Sequence, residues 1–303
     1  MSRLLPLGND LYQIDAFMHD APRRLAVYLY DGPVPVVIES GPSRSLHHVI
    51  EALDGAGVEP ALLLLTHIHL DHAGGAGHFA ARFPDAVIGV HPIGARHLVA
   101  PDRLWRSASR IYGEQHMIDL YGPMVPVDAE RIRLLDEGDV VDLGGGRRLD
   151  VLYTPGHASH HITAFEADSG ICFVGDVVGI RFPGYPFAFP VTPPPDFDPE
   201  LLTAQLHRIG ALDPSSLAFA HFGTDEQIAA RLAEAETELW WWVETARGLR
   251  DDPERAPERL RTAVLDRLRA AGASEESVAE YDVNTFWPMQ PAGIFRWLDR
   301  HDA

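Results

Sequence analysis

The segment THIHLDHAGG (66–75) gathers three imidazoles and a carboxylate directly behind the apolar run ALLLL. Side chains alternate along an extended chain, so His67 and His69 leave a strand end on the same side and can pinch one cation. Asp71 and His72 follow at once, and a tight turn at Gly74 and Gly75 would face them back toward a second cation. Such a density of imidazole and carboxylate suits zinc, with iron or manganese chemically acceptable. A surface histidine cluster would have no reason to sit behind a buried strand.

Three later segments each place a further ligand type just after an apolar, strand-like run. In LDVLYTPGHASHH, Pro155 and Gly156 turn the chain and present His157. In ICFVGD the run delivers Asp176, and in LAFAHFG it delivers His221. Together with the first segment they supply His67, His69, Asp71, His72, His157, Asp176 and His221, enough to hold two divalent metal ions with positions left open. Two such ions lower the pKa of a bridging water toward neutrality, and the hydroxide so formed is a nucleophile. An open metal position polarises a substrate carbonyl and neutralises the forming oxyanion. No nucleophilic Ser or Cys is then needed, and Asp71 or Asp176 is placed to accept the proton. Cys172, the only cysteine, lies in the apolar run ICFVG and reads as an inert buried thiol.

These residues require strands to carry them, in an α/β (α+β) fold. Short apolar runs alternating with helical patterns and Gly/Pro punctuation predict layered sheets, with strands at 11–17, 25–30, 35–40, 61–66 and 87–90. Later strands fit 131–135, 149–154, 161–167, 171–175 and 217–220, and GDVVDLGGG between two of them reads as a turn-rich edge. Helices fit Ser43 to Leu53, Ala76 to Phe83 and Leu201 to Ala211. After His221 the pattern is almost wholly helical, with Thr224 or Asp225 as N-cap of a helix to about Arg250, then Pro257 to Ala271 and Ile294 to Arg300. The expected organisation is a catalytic domain over 1–223 and a helical extension over 224–303 packing near the active site.

The 303 residues are 46% hydrophobic, ample for a buried core, and the formal net charge is −19. All 25 basic residues are Arg. That balance opposes a nucleic-acid groove. A single cysteine excludes an intrachain disulfide, and no apolar stretch reaches membrane-span or signal-peptide length, so a cytoplasmic protein without a membrane partner is expected. Trp240, Trp241 and Trp242 cannot share one helix face. They are expected to divide between core, a neighbouring helix and a possible homodimer contact.

THIHLDHAGG, TPGH, FVGD and AHFG resemble the successive motifs of the metallo-β-lactamase superfamily. The resemblance spans roughly residues 10 to 225 and implies an αββα sandwich with a C-terminal helical extension and metals at one edge. It further implies that His67, His69 and His157 hold the first metal, Asp71, His72 and His221 the second, and that Asp176 bridges the two. The full ligand set is most similar to the glyoxalase II, lactonase and alkylquinolone-pathway thioesterase (PqsE-like) branch. Around His221, however, the chain reads AHFGT and not GHEYT, and its C-terminal part has no basic cluster for the carboxylates of glutathione.

The activity expected is hydrolysis of an ester-like acyl bond, thioester or lactone, in a small-molecule substrate by metal-bound hydroxide. A phosphodiesterase or nuclease would use the same ligands, a mononuclear iron persulfide dioxygenase only three of them, and a ligand-binding regulator could keep the metals with little turnover. For the substrate pocket the candidates are His160 and His161, of which alternation lets one point at the site, and the aromatic loop residues Phe182, Tyr185, Phe187 and Phe189. That loop would either wall the pocket or pack on the C-terminal helices.

Overall fold

A computed structural model describes residues 4–301. They form two compact units. The first gathers the chain up to Thr154 with His160–Gly175 and Pro214–Glu226, and the second gathers Pro155–Ser159, Asp176–Asp213 and the chain from Gln227 onward.

The first unit is built on two sheets. One runs in chain order through β1 (Leu5–Gly8), β2 (Leu11–Asp15), β3 (Ala26–Tyr30), β4 (Val36–Ile38), β5 (Leu62–Leu64), β6 (Val87–Val90) and β7 (Ile132–Leu134). Strands β1 to β4 pair antiparallel, and β4 to β7 pair parallel. The parallel strands VVI, LLL and VIGV are apolar without alternation, as strands buried on both faces must be. Parallel neighbours need crossovers. Here α1 (Leu46–Ala56) links β4 to β5, the short α2 (Leu70–Ala73) and α3 (Ala76–Arg82) link β5 to β6, and α4 (Pro92–Val99), α5 (Asp102–Tyr112) and α6 (Glu114–Leu120) link β6 to β7.

The second sheet holds β8 (Val140–Gly144), β9 (Arg147–Tyr153), β10 (Ile162–Glu166), β11 (Ile171–Gly175), β12 (Ser216–Phe219) and β13 (Gly223–Asp225), spatially ordered β13-β12-β11-β10-β9-β8. Period-two alternation divides β3, β4 and β5 between two cores. Val27, Leu29 and Leu63 join Val49, Leu53 and Phe79 of the helices in one core. Tyr28, Tyr30, Leu62 and Leu64 meet Val151 and Phe173 of the other sheet in the second. Helix α1 anchors through Leu46, Val49, Ala52 and Leu53, one buried stripe at helical spacing. Cys172 is buried and free, and burial pushes its thiol up, as an inert core residue requires.

The second unit contains α7 (Pro199–Ala211), α8 (Ile228–Arg247), α9 (Ala256–Ala270), α10 (Glu275–Asn284) and α11 (Met289–His301). Asp198 caps α7 by accepting from the amides of Glu200 and Leu201 at 3.0 and 3.1 Å. The three tryptophans of α8 do divide: Trp242 is fully buried, Trp240 donates to the Thr203 hydroxyl at 3.0 Å, and Trp241 stacks under the Arg267 guanidinium at 4.4 Å. Among the described residues no helix is long and apolar enough to cross a membrane.

Several elements differ from the sequence expectation. GDVVDLGGG contains a real strand, β8, in which only Val141 and Leu143 of alternate positions are buried, so its apolar signal is half of a core strand's. Thr224 and Asp225 do not cap a helix; they pair with β12 as β13, and α8 starts at Ile228. The run expected over 11–17 ends at Asp15, where the chain turns. Helices α4 to α6 and α10 lie outside the sequence expectation; α5 is amphipathic, yet none of its residues is buried.

Candidate metal centre

In the first unit Glu39 and the 67–72 segment lie beyond the carboxyl ends of β4 and β5, where parallel strands commonly present a site, and His221 follows β12. Leu65 donates to the Gly89 carbonyl at 2.9 Å, and the Thr66 carbonyl accepts from the Ile162 amide at 2.7 Å, which ties the exit of β5 to both sheets. Past that point His67 and His69 are extended as expected, with ring centroids 4.6 Å apart. Asp71 and His72 are turned back by α2 itself, with the His72 and Ala73 amides donating to the His69 carbonyl, so a helical turn replaces the glycine turn foreseen at Gly74 and Gly75.

Asp71, His72 and His221 offer ligand atoms that all lie within 4.8 Å of one another. The Asp71 Oδ2 is 3.6 Å from His72 Nε2 and 3.4 Å from His221 Nε2. Both separations exceed a normal N–H···O hydrogen bond. They match the edge of a tetrahedron whose centre holds a cation bonded at 2.0–2.2 Å, about 3.4 Å. The second unit repeats the feature: His157 Nε2 stands 3.7 Å from Asp176 Oδ2.

Four of the imidazoles are also fixed from behind. His221 Nδ1 donates to the Arg24 carbonyl at 2.9 Å, and His157 Nδ1 donates to the Val191 carbonyl at 3.1 Å. A carbonyl only accepts, so the proton resides on Nδ1 and the Nε2 lone pair is left for a metal. His72 Nδ1 faces the Glu39 Oε1 at 3.2 Å. His67 Nδ1 faces the Thr66 hydroxyl at 3.0 Å, and that hydroxyl donates to the same Glu39 oxygen. The donor set therefore fits a divalent cation on its chemistry: neutral imidazoles and carboxylates, with ring tautomers preset.

Glu39 was missed by the sequence reading, although it is the hub of this arrangement. It is 1% exposed and within ligand range of His67 and His72; its Oε1 accepts from the Thr66 hydroxyl and faces His72 Nδ1, while its buried Oε2 has no hydrogen-bond partner among the described residues. Through Oε1 it positions the rings of the ligand cluster. Ser40 assists: its amide and hydroxyl both donate to the His72 carbonyl, at 2.9 and 2.8 Å. The one available signal was an acid closing a wholly apolar strand, VVIE.

His160 and His161 both approach His67, with ring centroids 6.2 and 5.1 Å away. Alternation had allowed one of them, but β10 begins only at Ile162, so the rule does not reach residues 160 and 161. The Ile68 amide donates to His160 Nδ1 at 3.3 Å, which braces the backbone between His67 and His69. His161 Nδ1 lies 2.8 Å from the Thr154 hydroxyl.

In the second unit, Gly156 holds φ +131°, and a Cβ there would stand 2.6 Å from the Leu202 amide nitrogen at the start of α7. Gly156→Ala is expected to destabilise the protein by at least ~2 kcal/mol, read as a lower denaturant midpoint at unchanged slope. Phe182, Tyr185, Phe187 and Phe189 are buried. Phe189 and Tyr185 pack on Tyr281 of α10, at 4.2 and 5.9 Å between ring centroids, and the Tyr185 hydroxyl donates to the Ser277 carbonyl at 3.2 Å. The loop thus packs on the C-terminal helices. Beside Asp176 a small cavity is walled by Val177, Leu202, Leu206, Ala235 and Leu239.

Two sheets carrying buried imidazoles and carboxylates beyond their strand ends define a metal-binding α/β protein of the sandwich class. The chain belongs to the metallo-beta-lactamase superfamily, whose family model matches residues 26–221. It is 32% identical to acyl-coenzyme A thioesterase MBLAC2 of Gallus gallus, over 57% of this chain and only 64% of that protein. It is 29% identical to hydroxyacylglutathione hydrolase of Acidiphilium cryptum, over 74% of this chain and 69% of the relative. The crystal structure of an archaeal superfamily member, ST1585 from Sulfolobus tokodaii, superposes with TM-score 0.64 at 27% identity, covering 78% of this chain and 87% of the other. The expected αββα sandwich with C-terminal helices is accordingly the fold.

Proposed function

We propose that the protein is a dinuclear metal-dependent hydrolase that cleaves an ester-like acyl bond, thioester or lactone, in a small-molecule substrate. The observation that carries this reading is the placement of Asp71 Oδ2 at 3.4 and 3.6 Å from two Nε2 atoms whose rings are anchored through Nδ1. Such anchoring fixes each ring's tautomer and leaves its Nε2 for ligation. The order of the motifs within the family match supports one metal at His67, His69 and His157, another at Asp71, His72 and His221, and Asp176 between them. On this reading residues 1–223 form the catalytic domain and 224–303 a helical extension.

Divalent ions in these positions, with zinc suited to the ligand types, supply an activated water and a Lewis acid for the substrate carbonyl. The chain's own residues do the rest. Glu39 and the two backbone carbonyls keep the imidazole lone pairs aimed, so no ligand needs to reorganise. Asp71 or Asp176 takes up the proton released from the attacking water. The relative named as an acyl-coenzyme A thioesterase supports a thioester substrate. The net charge of −19 argues against a nucleic-acid phosphodiester.

Metal analysis with a substrate panel tests the proposal. Two equivalents of metal per chain are expected, with thioester or lactone turnover that chelation abolishes and zinc restores. Turnover confined to bis-nitrophenyl phosphate would instead assign a phosphodiesterase. Thiol-dependent oxygen consumption by an iron form would assign a dioxygenase, and a fully loaded protein inert on every substrate would assign a regulator.

A further inference from the structure

The loop between β2 and β3 is the most strained segment near the centre, and nothing in the metal chemistry uses it. Phe17, His19, Asp20 and Arg23 all hold positive φ, between 47° and 59°, without being glycine. Left-handed backbone at such residues persists only where the surroundings impose it, and it gathers at binding sites. Here the imposing group is Asp15, whose carboxylate accepts from the Phe17 amide at 2.9 Å and from the Arg23 amide at 2.8 Å, clamping both ends of the loop. Arg44 holds Asp20 from the side at 3.2 Å, and the Arg44 amide in turn donates to the Tyr121 carbonyl at 2.9 Å.

The clamp presents His19. Its ring meets the edge of Tyr121 at 5.9 Å between centroids, and Tyr121 meets Tyr112 at 6.1 Å. Asp71 acts electrostatically on His19, Tyr112 and Tyr121 alike, and His221 acts on His19. The three side chains therefore lie within electrostatic range of the Asp71 carboxylate. Nε2 of His19 is buried and has no hydrogen-bond partner among the described residues. A buried ring nitrogen left in that state calls for a partner that arrives from outside.

We propose that His19, with Tyr112 and Tyr121 beside it, contacts the substrate, its Nε2 hydrogen-bonding an uncharged polar group, an amide or hydroxyl, that lies away from the scissile bond. Burial lowers the His19 pKa to about 4, so the ring is neutral at working pH and acts by hydrogen bonding and not by charge. The inference deepens the hydrolase reading and rests on it.

The test compares two thioesters, S-butyryl-N-acetylcysteamine, which carries an amide beyond the sulfur, and S-ethyl thiobutyrate, which carries none. The readout is the ratio of their kcat/KM values. His19→Phe is expected to lower that preference about tenfold, the worth of one hydrogen bond, and His19→Gln, which retains an amide donor and acceptor, is expected to keep most of it. An unchanged ratio in His19→Phe overturns the proposal, as does an equal loss in both variants. A second measurement is independent of turnover and of the variants' folding: adding the inert thioether S-butyl-N-acetylcysteamine to zinc-loaded wild-type protein is expected to shift the His19 ring nitrogen resonance. A stationary resonance overturns the His19 assignment, whereas failure of the wild type to cleave either thioester overturns the thioesterase reading and leaves the resonance to decide on His19.

Discussion

His221→Ala is expected to bind one equivalent of metal where the wild type binds two, and to lose about a thousandfold in kcat/KM, roughly 4 kcal/mol of transition-state stabilisation. The reason lies in the position of the ring. His221 is 1% exposed, its Nδ1 donates to the Arg24 carbonyl, and its Nε2 lies 3.4 Å from Asp71 Oδ2. Alanine removes one corner of the Asp71, His72 and His221 group and with it one nitrogen lone pair. The folded state should survive with a loss of about 1–3 kcal/mol from the unpaired Arg24 carbonyl, plus the cost of the void left by the ring. Elemental analysis alongside steady-state kinetics decides the matter. Two retained equivalents, or activity within tenfold of wild type, would show that His221 is not a ligand.

Glu39→Gln should produce the second-largest effect, with a different signature. The carboxylate accepts both from the Thr66 hydroxyl and from His72 Nδ1, and through Thr66 it orients His67. A neutral amide keeps the volume, and its oxygen can still accept from both donors, which share Oε1, but it loses the charge that favours the Nδ1–H tautomer of His72. Metal affinity is expected to fall about 10–100-fold, as is usual for groups that orient ligands. Because every ligand is still present, saturating metal should restore most of kcat, which it cannot do for His221→Ala. Metal titration monitored by activity separates the two behaviours. A Glu39→Gln protein with wild-type metal affinity would show that the hub is an ordinary buried acid.

The local chemistry of the centre could be read in advance because it is encoded in short stretches. H-x-H-x-D-H behind an apolar run needs only strand alternation to bring His67 and His69 to one side, and each of His157, Asp176 and His221 follows an apolar run that can only be a strand. The sheets were legible for the same reason, since VVI, LLL and ICFVG are too apolar and too short to be anything but buried strands. Weak apolar alternation hid β8.

Other features were decided by tertiary structure alone. Glu39 becomes a hub because parallel pairing of β4 with β5 brings the Glu39 amide onto the Leu64 carbonyl at 2.9 Å, which sets its side chain beside Thr66, two residues further on. That register joins residues 27 positions apart, and no local pattern announces it. His19 is a single histidine in an irregular loop, and it acquires meaning only from the Asp15 clamp and from Tyr121, about a hundred residues later in the chain. Types and spacings thus determined that this protein can hold metal. Which groups aim the ligands, and which side chain waits beside them, depended on contacts between distant segments, because hydrogen bonds report proximity in space and sequence periodicity reports only neighbours along the chain.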